Sequence, residues 1–311
     1  MVIKVPSKFN PLNHPDITIE WDQGLFKVVF EAMACHCYLL IELEEKEHIK
    51  AHNMALLAAI ECWRIEYKYS RYQKNNYLDS LHQAKGSWFT LDDESYRLFC
   101  FADQAWQLSN GLFDITSGIL GKAWRFNKKA NIPEQDYILK LLGNIGWNKV
   151  QLDPQMGIKL PPNMSLDLGG LGKEYAVDRV LQLLNNHNED IGFLVNFGGD
   201  IACNKSKAKN QPWLVGIDSP YAKHSHATLS LSFGALATSG DSERFIMHKG
   251  KRYSHVLNPL TGWPVENAPR SVTIAAPTCI QAGLIATLTL LQGKNASEFV
   301  TNSGFNYWLY E

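Results

Sequence analysis

The stretch Leu25–Leu43, LFKVVFEAMACHCYLLIEL, alternates apolar and polar positions and predicts two adjacent strands with a short bend at Glu31–Ala34. From about Lys46 to Tyr67 the apolar residues recur at three and four, which predicts a helix. The polar piece SRYQKNNYLDSLHQAKGSW (70–88) reads as a loop. A second helix is predicted over about Asp92–Ser109, capped by Thr90 and ended at Gly111 by the loop NGLFDITSG. Beyond a Lys/Asn-rich surface stretch at Asn127–Asn131 and a short helix at Glu134–Leu142, KVQLD and GIKLP predict a hairpin. SLDLGG leads from a strand to a loop, and LGKEYAVDRVLQLLNNHN is a strongly amphipathic helix.

Five further segments, GFLVNFGGDIAC, WLVGIDSP, ATLSLSFGALATSG, RFIMHKGKRYSHVLNP and SVTIAA, are strand-like with glycine or polar punctuation. A closing helix over Thr278–Gln292, a short helix at Ala296–Thr301 and a terminal strand NYWLY complete the chain. Strand-rich stretches flank helical ones without regular alternation, so the expected class is α+β, with mixed or antiparallel sheets and packed helices. Neither a repeat nor a clear linker is present; residues 1–311 read as one compact domain, with 1–20 an irregular N-terminal extension.

The closing helix, PTCIQAGLIATLTLLQG, has Thr278 and Gln281 as a capping box and Gly293 as a stop. Gly283 does not suit it: an interior glycine costs about 1 kcal/mol relative to alanine, and Thr287 lies four residues on along the same face.

Composition narrows the function classes. Apolar residues make up 45% of the chain, enough for a sizeable core. The 30 basic and 31 acidic residues are mixed along the length, giving a net charge of -1 and no footprint for nucleic acid or anionic membrane. No secretory h-region and no run of membrane-spanning length occurs, and the six scattered cysteines suit reduced core thiols, so a cytoplasmic location is expected. ACHC at 34–37 has no partner pair at zinc-binding spacing.

Two paired-glycine turns carry candidate chemistry. DLGGLGKEYAVD, Asp167–Asp178, places glycines between a strand and a helix whose first turn holds Lys173, which suits close approach of an anion. It is not a Walker loop, because Asp167 stands where a glycine and Glu174 where a Ser or Thr would be needed. NFGGD, Asn196–Asp200, is a second such turn with a carboxylate behind it. Further on, ATSGDSERF (237–245) places Thr238 and Ser239 at a strand end, and YSHVLNPLTGWP places His255 on a strand before an Asn-Pro turn.

Taken in order, these motifs resemble the ApbE family of flavin transferases, which split FAD and attach FMN to a protein. The resemblance rests on Met33, YSRYQKNNYLDSL, NGLFDITSGIL, DLGGLGKEYAVD, VNFGGDI, TSGD.ER, SHVLNPLTGWP, SVTIAA and the closing helix, and so runs over nearly the whole chain. It implies that Met33, Leu112, Phe113, Asp114, Asp167, Lys173 and Leu257 line an FAD pocket, and that Lys173 and His255 serve catalysis. The implied partners are FAD and an acceptor protein bearing a Ser or Thr flavinylation site, with AMP released. The resemblance also implies a divalent cation, Mg²⁺, held by Thr287, by a backbone carbonyl from Gly170 and by an aspartate at position 283.

Here position 283 is glycine, and the family's H..DP.TG is HVLNPLTG, with Asn258 for aspartate. Smaller departures are Ala34 within MAC and Glu174 where glycine usually follows the lysine. With only neutral oxygens left, Mg²⁺ would be held weakly. Asp114, Asp200 and Asp241 are the candidate replacements. The alternative readings are a flavin-holding relative without metal-dependent cleavage and an FAD pyrophosphatase; the alternative for Gly283 is relief of crowding against a neighbouring strand.

Overall fold

Residues 2–3, 13–126, 132–221, 225–241 and 245–311 are described in a computed structural model. The chain begins with four strands, β1 (Val2–Ile3), β2 (Ile17–Asp22), β3 (Leu25–Ala32) and β4 (Cys35–Glu42). Part of the expected irregular extension, residues 4–12, lies outside the described residues, whereas Ile17 onward is paired in β2. The helices α1 (His48–Tyr69) and α2 (Tyr77–Gln83) follow, then β5 (Trp88–Phe89), α3 (Asp93–Leu108) and α4 (Gln135–Leu142). Next come β6 (Gln151–Asp153), β7 (Gly157–Lys159), α5 (Gly172–Asn185), β8 (Phe193–Phe197) and β9 (Asp200–Cys203). The last third holds β10 (Trp213–Asp218), β11 (Ser225–Leu231), β12 (Gly234–Gly240), β13 (Phe245–His248), β14 (Lys251–Ser254) and β15 (Ser271–Ala276). It closes with α6 (Cys279–Leu291), α7 (Ala296–Asn302) and β16 (Asn306–Tyr310).

A nine-stranded antiparallel sheet runs in the order β1-β2-β3-β4-β8-β9-β12-β15-β16. The period-2 pattern explains its two faces. On β8, Phe193, Val195 and Phe197 join the main core with α1, α5 and α6, while Leu194 faces a second cluster with Trp213, Val215 and Leu231 of the β10–β11 hairpin. Burial on both faces is why this strand reads as a nearly continuous apolar run. A third cluster gathers Ile119, Leu120, Trp124 and Ile138 beneath the β13–β14 hairpin.

The α+β class is therefore observed. Four local expectations change. The polar piece at 70–88 contains α2, started by Asn76, whose side chain accepts from Asp79 N–H at 2.7 Å. Its buried face is only Leu78 and Leu81, too short a repeat to stand out among polar neighbours. The cap of α3 is Asp92 rather than Thr90: its carboxylate accepts from Ser95 N–H at 2.8 Å and also pairs with Lys68. SLDLGG forms no strand beyond an isolated bridge of Ser165 to Ser117. His255 lies just past the end of β14, and after it only Leu257 makes an isolated bridge, to Pro264. The Asn127–Asn131 stretch and Glu243–Arg244 of the TSGD.ER motif lie outside the described residues.

Candidate functional site

The glycine turn before α5 is held by its aspartate. Asp167 N–H donates to Ile115 O at 2.7 Å, Oδ1 accepts from Gly169 N–H at 2.9 Å, and Oδ2 pairs with Arg71 Nη1 at 2.9 Å. Arg71 also donates to Gly118 O at 2.9 Å. A side chain on Gly118 would collide with Asp167, 2.6 Å from its Cβ. The Phe113 ring lies 3.5 Å from where a Cβ on Gly170 would stand, so the LFD and DLGG loops are neighbours. Arg71, which ties them together, was visible only as a letter within YSRY; nothing in its spacing marked an ionic partner nearly a hundred residues away.

On the other side of the α5 N-terminus, Lys173 Nζ sits 2.7 Å from Asp200 Oδ2. Burial alone would lower the lysine, but Asp200 and Glu174 raise it and keep it charged. Burial likewise pushes Asp200 above the usual carboxylate range, with Lys173 opposing. The NFGGD turn passes close by: Gly198 and Gly199 have φ of +60° and +96°, and a Cβ on Gly198 would meet Cys35 Sγ at 2.9 Å and Lys173 Nζ at 3.6 Å. Cys35 in turn follows the two-residue turn Met33–Ala34, whose φ values of +52° and +58° are left-handed without glycine. Such strain concentrates at functional positions. Met33, Lys173 and the glycine turn thus share one neighbourhood.

The remaining expected residues lie elsewhere or are engaged. Asp114 is buried with both oxygens used: Oδ1 accepts from Thr116 N–H (2.8 Å) and Oγ1–H (2.6 Å), and Oδ2 accepts from Trp147 N–H (2.9 Å). Asp241 is flanked by Arg252 Nε at 2.9 Å and Arg270 Nε at 3.2 Å. The half-buried His255 stands edge-on to Phe126, ring centres 6.3 Å apart, next to the Trp124–Tyr253 aromatics. Asn258 keeps the turn-forming role, its side-chain oxygen accepting from Leu260 N–H at 2.8 Å. A cleft of about 310 Å³ is lined by Trp106, Gly111, Ile145, Gly146 and Leu260; it includes Asp114 but none of Met33, Lys173 or Thr287.

Helix α6 is aligned against α5 by Asp178, whose carboxylate accepts from Cys279 N–H (2.8 Å) and Ile280 N–H (2.9 Å). One turn back along α5 stands Glu174, and one turn on along α6 stands Gly283. A Cβ on Gly283 would fall 2.6 Å from Glu174 Cγ and 2.8 Å from Oε1. The crowding that excludes a side chain at 283 therefore comes from a helix rather than from a strand. Burial and the charge of Asp200 push Glu174 up to about 8. A turn beyond Gly283, Thr287 Oγ1 lies 3.1 Å from Ser239 Oγ at the end of β12.

With this arrangement in place, the sequence model of the ApbE family matches residues 33–307. The chain belongs to the ApbE family. The FAD:protein FMN transferase of Haemophilus influenzae is 24% identical over 261 residues, covering 80% of this chain and 72% of that protein. The one from Escherichia coli is 31% identical over 212 residues, covering 65% of this chain and 60% of that protein. The crystal structure of the ApbE protein of Thermotoga maritima matches with a TM-score of 0.84 at 28% identity, covering 92% of this chain and 94% of that one. The Pseudomonas stutzeri flavinyl transferase ApbE shares the fold, at a TM-score of 0.79 and 20% identity. Among the described residues no helix of this ApbE chain is long and apolar enough to cross a membrane.

Proposed function

We propose that this ApbE-family chain is an FAD:protein FMN transferase. The observation that carries the reading is the convergence, at the N-terminus of α5, of Lys173, the strained Met33 turn and the NFGGD turn, in a chain similar over most of its length to proteins named for that activity. In the proposed reaction the hydroxyl oxygen of a Ser or Thr on the acceptor bonds to the phosphorus of the FMN half. The bond from that phosphorus to the AMP phosphate breaks, and AMP leaves with the electron pair while the hydroxyl proton passes to a base.

Lys173, kept charged by Asp200, offsets negative charge on the phosphates, and the first N–H groups of α5 add to it. Asp167 holds the DLGG turn in shape through Arg71 and Gly169 N–H, so those N–H groups are preorganised. Leu112, Phe113 and Leu257 are the apolar residues of the proposed flavin pocket, with Asp114 ordering the loop that carries Leu112 and Phe113. His255 is the candidate to orient a phosphate or to take the acceptor's proton.

The Thr287 and Ser239 hydroxyls, 3.1 Å apart, are hard oxygens of the kind Mg²⁺ takes, and the Gly170 carbonyl is the further donor that the resemblance implies. When bound, Mg²⁺ would supply charge neutralisation at the pyrophosphate. The six cysteines are free, in keeping with action in the cytoplasm. The test is incubation with FAD and Mg²⁺ or Mn²⁺, with and without an acceptor bearing a Ser or Thr site. AMP release with a flavin-labelled acceptor is expected; FAD recovered intact with no label would overturn the transferase reading in favour of a flavin-holding relative.

A further inference from the structure

The three aspartates that sequence marked as stand-ins for a missing carboxylate are already engaged. Asp114 is taken by backbone and hydroxyl donors, Asp241 by two arginines, and Asp200 by Lys173. A fourth buried acid is not. Glu174 is 7% exposed, and its Oε2 has no hydrogen-bond partner among the described residues. Burying an ionised carboxylate without a partner is costly enough that such a group is neutralised or paired with a cation.

The position of this acid is set by helix register. Asp178 fixes the start of α6 to α5, and one turn away Glu174 fills the volume that a side chain at 283 would occupy. Oxygen donors continue along the same line. Thr287 is the next residue on that face of α6, and Ser239 Oγ lies 3.1 Å from its hydroxyl. We propose that Glu174, reaching across from α5, supplies the carboxylate of a divalent-cation site completed by Thr287, so that Gly283 and Glu174 are two halves of one relocated ligand. The glycine then belongs to the relocation, since a side chain at 283 and the Glu174 side chain as it stands would contend for the same volume.

The inference deepens the transferase reading and rests on it for the purpose of the cation. Binding itself can be measured apart from turnover. In the full-length chain, Mn²⁺ binding is followed by loss of the free-ion EPR signal, with and without FAD, alongside the FAD-induced thermal shift. Wild type binds Mn²⁺, and Glu174→Gln weakens it by at least the roughly 10- to 100-fold that loss of an outer-shell partner costs a metal site, while keeping the FAD shift. The double variant Glu174→Gly, Gly283→Asp frees the space and recovers binding, which also keeps the inference testable if the glutamine variant folds poorly. Mn²⁺ bound equally well by wild type and Glu174→Gln, or by neither, overturns the proposal. Loss of the FAD shift in wild type with Glu174-dependent Mn²⁺ binding intact would sink the transferase reading and leave the cation site standing.

Discussion

Asp114, in the LFD loop, and Glu174, in the first turn of α5, are both buried acids, and their surroundings are opposite. Every oxygen of Asp114 faces a donor: Thr116 N–H and O–H on one, Trp147 N–H on the other, with Thr116 Oγ1 accepting in turn from Gly146 N–H. Glu174 shares its surroundings with Asp200 and Asp178 and with the charge of Lys173, which Asp200 already pairs, and one of its oxygens has no donor. A carboxylate that is fully hydrogen-bonded organises backbone; it has no capacity left for a ligand. One that is buried and incompletely satisfied is maintained at a cost that only a bound cation or a proton offsets. In this chain the aspartate of the LFD motif is therefore scaffold, and Glu174 is the acid with an oxygen left for a ligand.

The comparison breaks most severely at Asp114. Replacing it by alanine strands two buried N–H donors and the Thr116 hydroxyl, and the expected loss is about 3–5 kcal/mol of folding stability, from about 1–3 kcal/mol for each unsatisfied group. Urea denaturation measures it. A loss below about 1 kcal/mol would mean that these bonds are replaced by water and that Asp114 is not scaffold. Next in size is Lys173→Met, which removes the cation paired with Asp200 and the charge offered to phosphate. AMP release from FAD is expected to fall roughly 100- to 1,000-fold, the scale of losing one preorganised charge-stabilising group. Activity within a few-fold of wild type would remove Lys173 from the phosphate site.

How much of this was legible beforehand follows from range. Signals carried by neighbouring residues were readable: the alternation of LFKVVFEA and CHCYLLIE, the Thr278 cap and Gly293 at φ +56° just past α6. Signals that depend on distant partners were not. Asp92 rather than Thr90 caps α3, its carboxylate also paired with Lys68 in the last turn of α1. Arg71 becomes part of the site only when Asp167 folds onto it. His255 leaves its strand one residue early, where Ser254 Oγ accepts from Val256 N–H at 3.1 Å and turns the chain. The glycine at 283 and the glutamate at 174 could each be noticed in the sequence. That they meet across two helices is visible only in three dimensions.

The meeting itself can be measured at smaller cost. In an ordinary helix, Gly283→Ala would stabilise by about 1 kcal/mol. Here the new Cβ falls 2.6 Å from Glu174 Cγ, and the surrounding burial leaves the glutamate little room to retreat. The expected sign is reversed, to a loss of about 1–3 kcal/mol from overpacking. In a Glu174→Ala background the same change should become neutral or stabilising. A double-mutant cycle with a coupling energy under about 0.5 kcal/mol would separate the two residues.

The mildest effect is expected where an acid is neither scaffold nor ligand, at the α1–α3 surface. Glu94 receives hydrogen bonds from Arg64, Lys68 and Tyr175 at 2.6, 2.6 and 2.8 Å. Burial alone would raise its carboxyl, but these donors hold it down from the ordinary 4.5 to about 2. A folded value below the unfolded one means that its stabilisation is fully present above pH 4.5 and is lost as pH falls toward 2. Glu94→Gln should therefore lower the melting temperature at pH 7 and flatten its acid-side slope between those limits, while leaving Mn²⁺ binding unchanged. Because the Glu94 side chain is still 20% exposed, solvent screening keeps the change to about 1 kcal/mol or less. An acid slope as steep in the variant as in wild type would assign that region of the titration to Asp92 instead, the other carboxylate that Lys68 holds below its ordinary range.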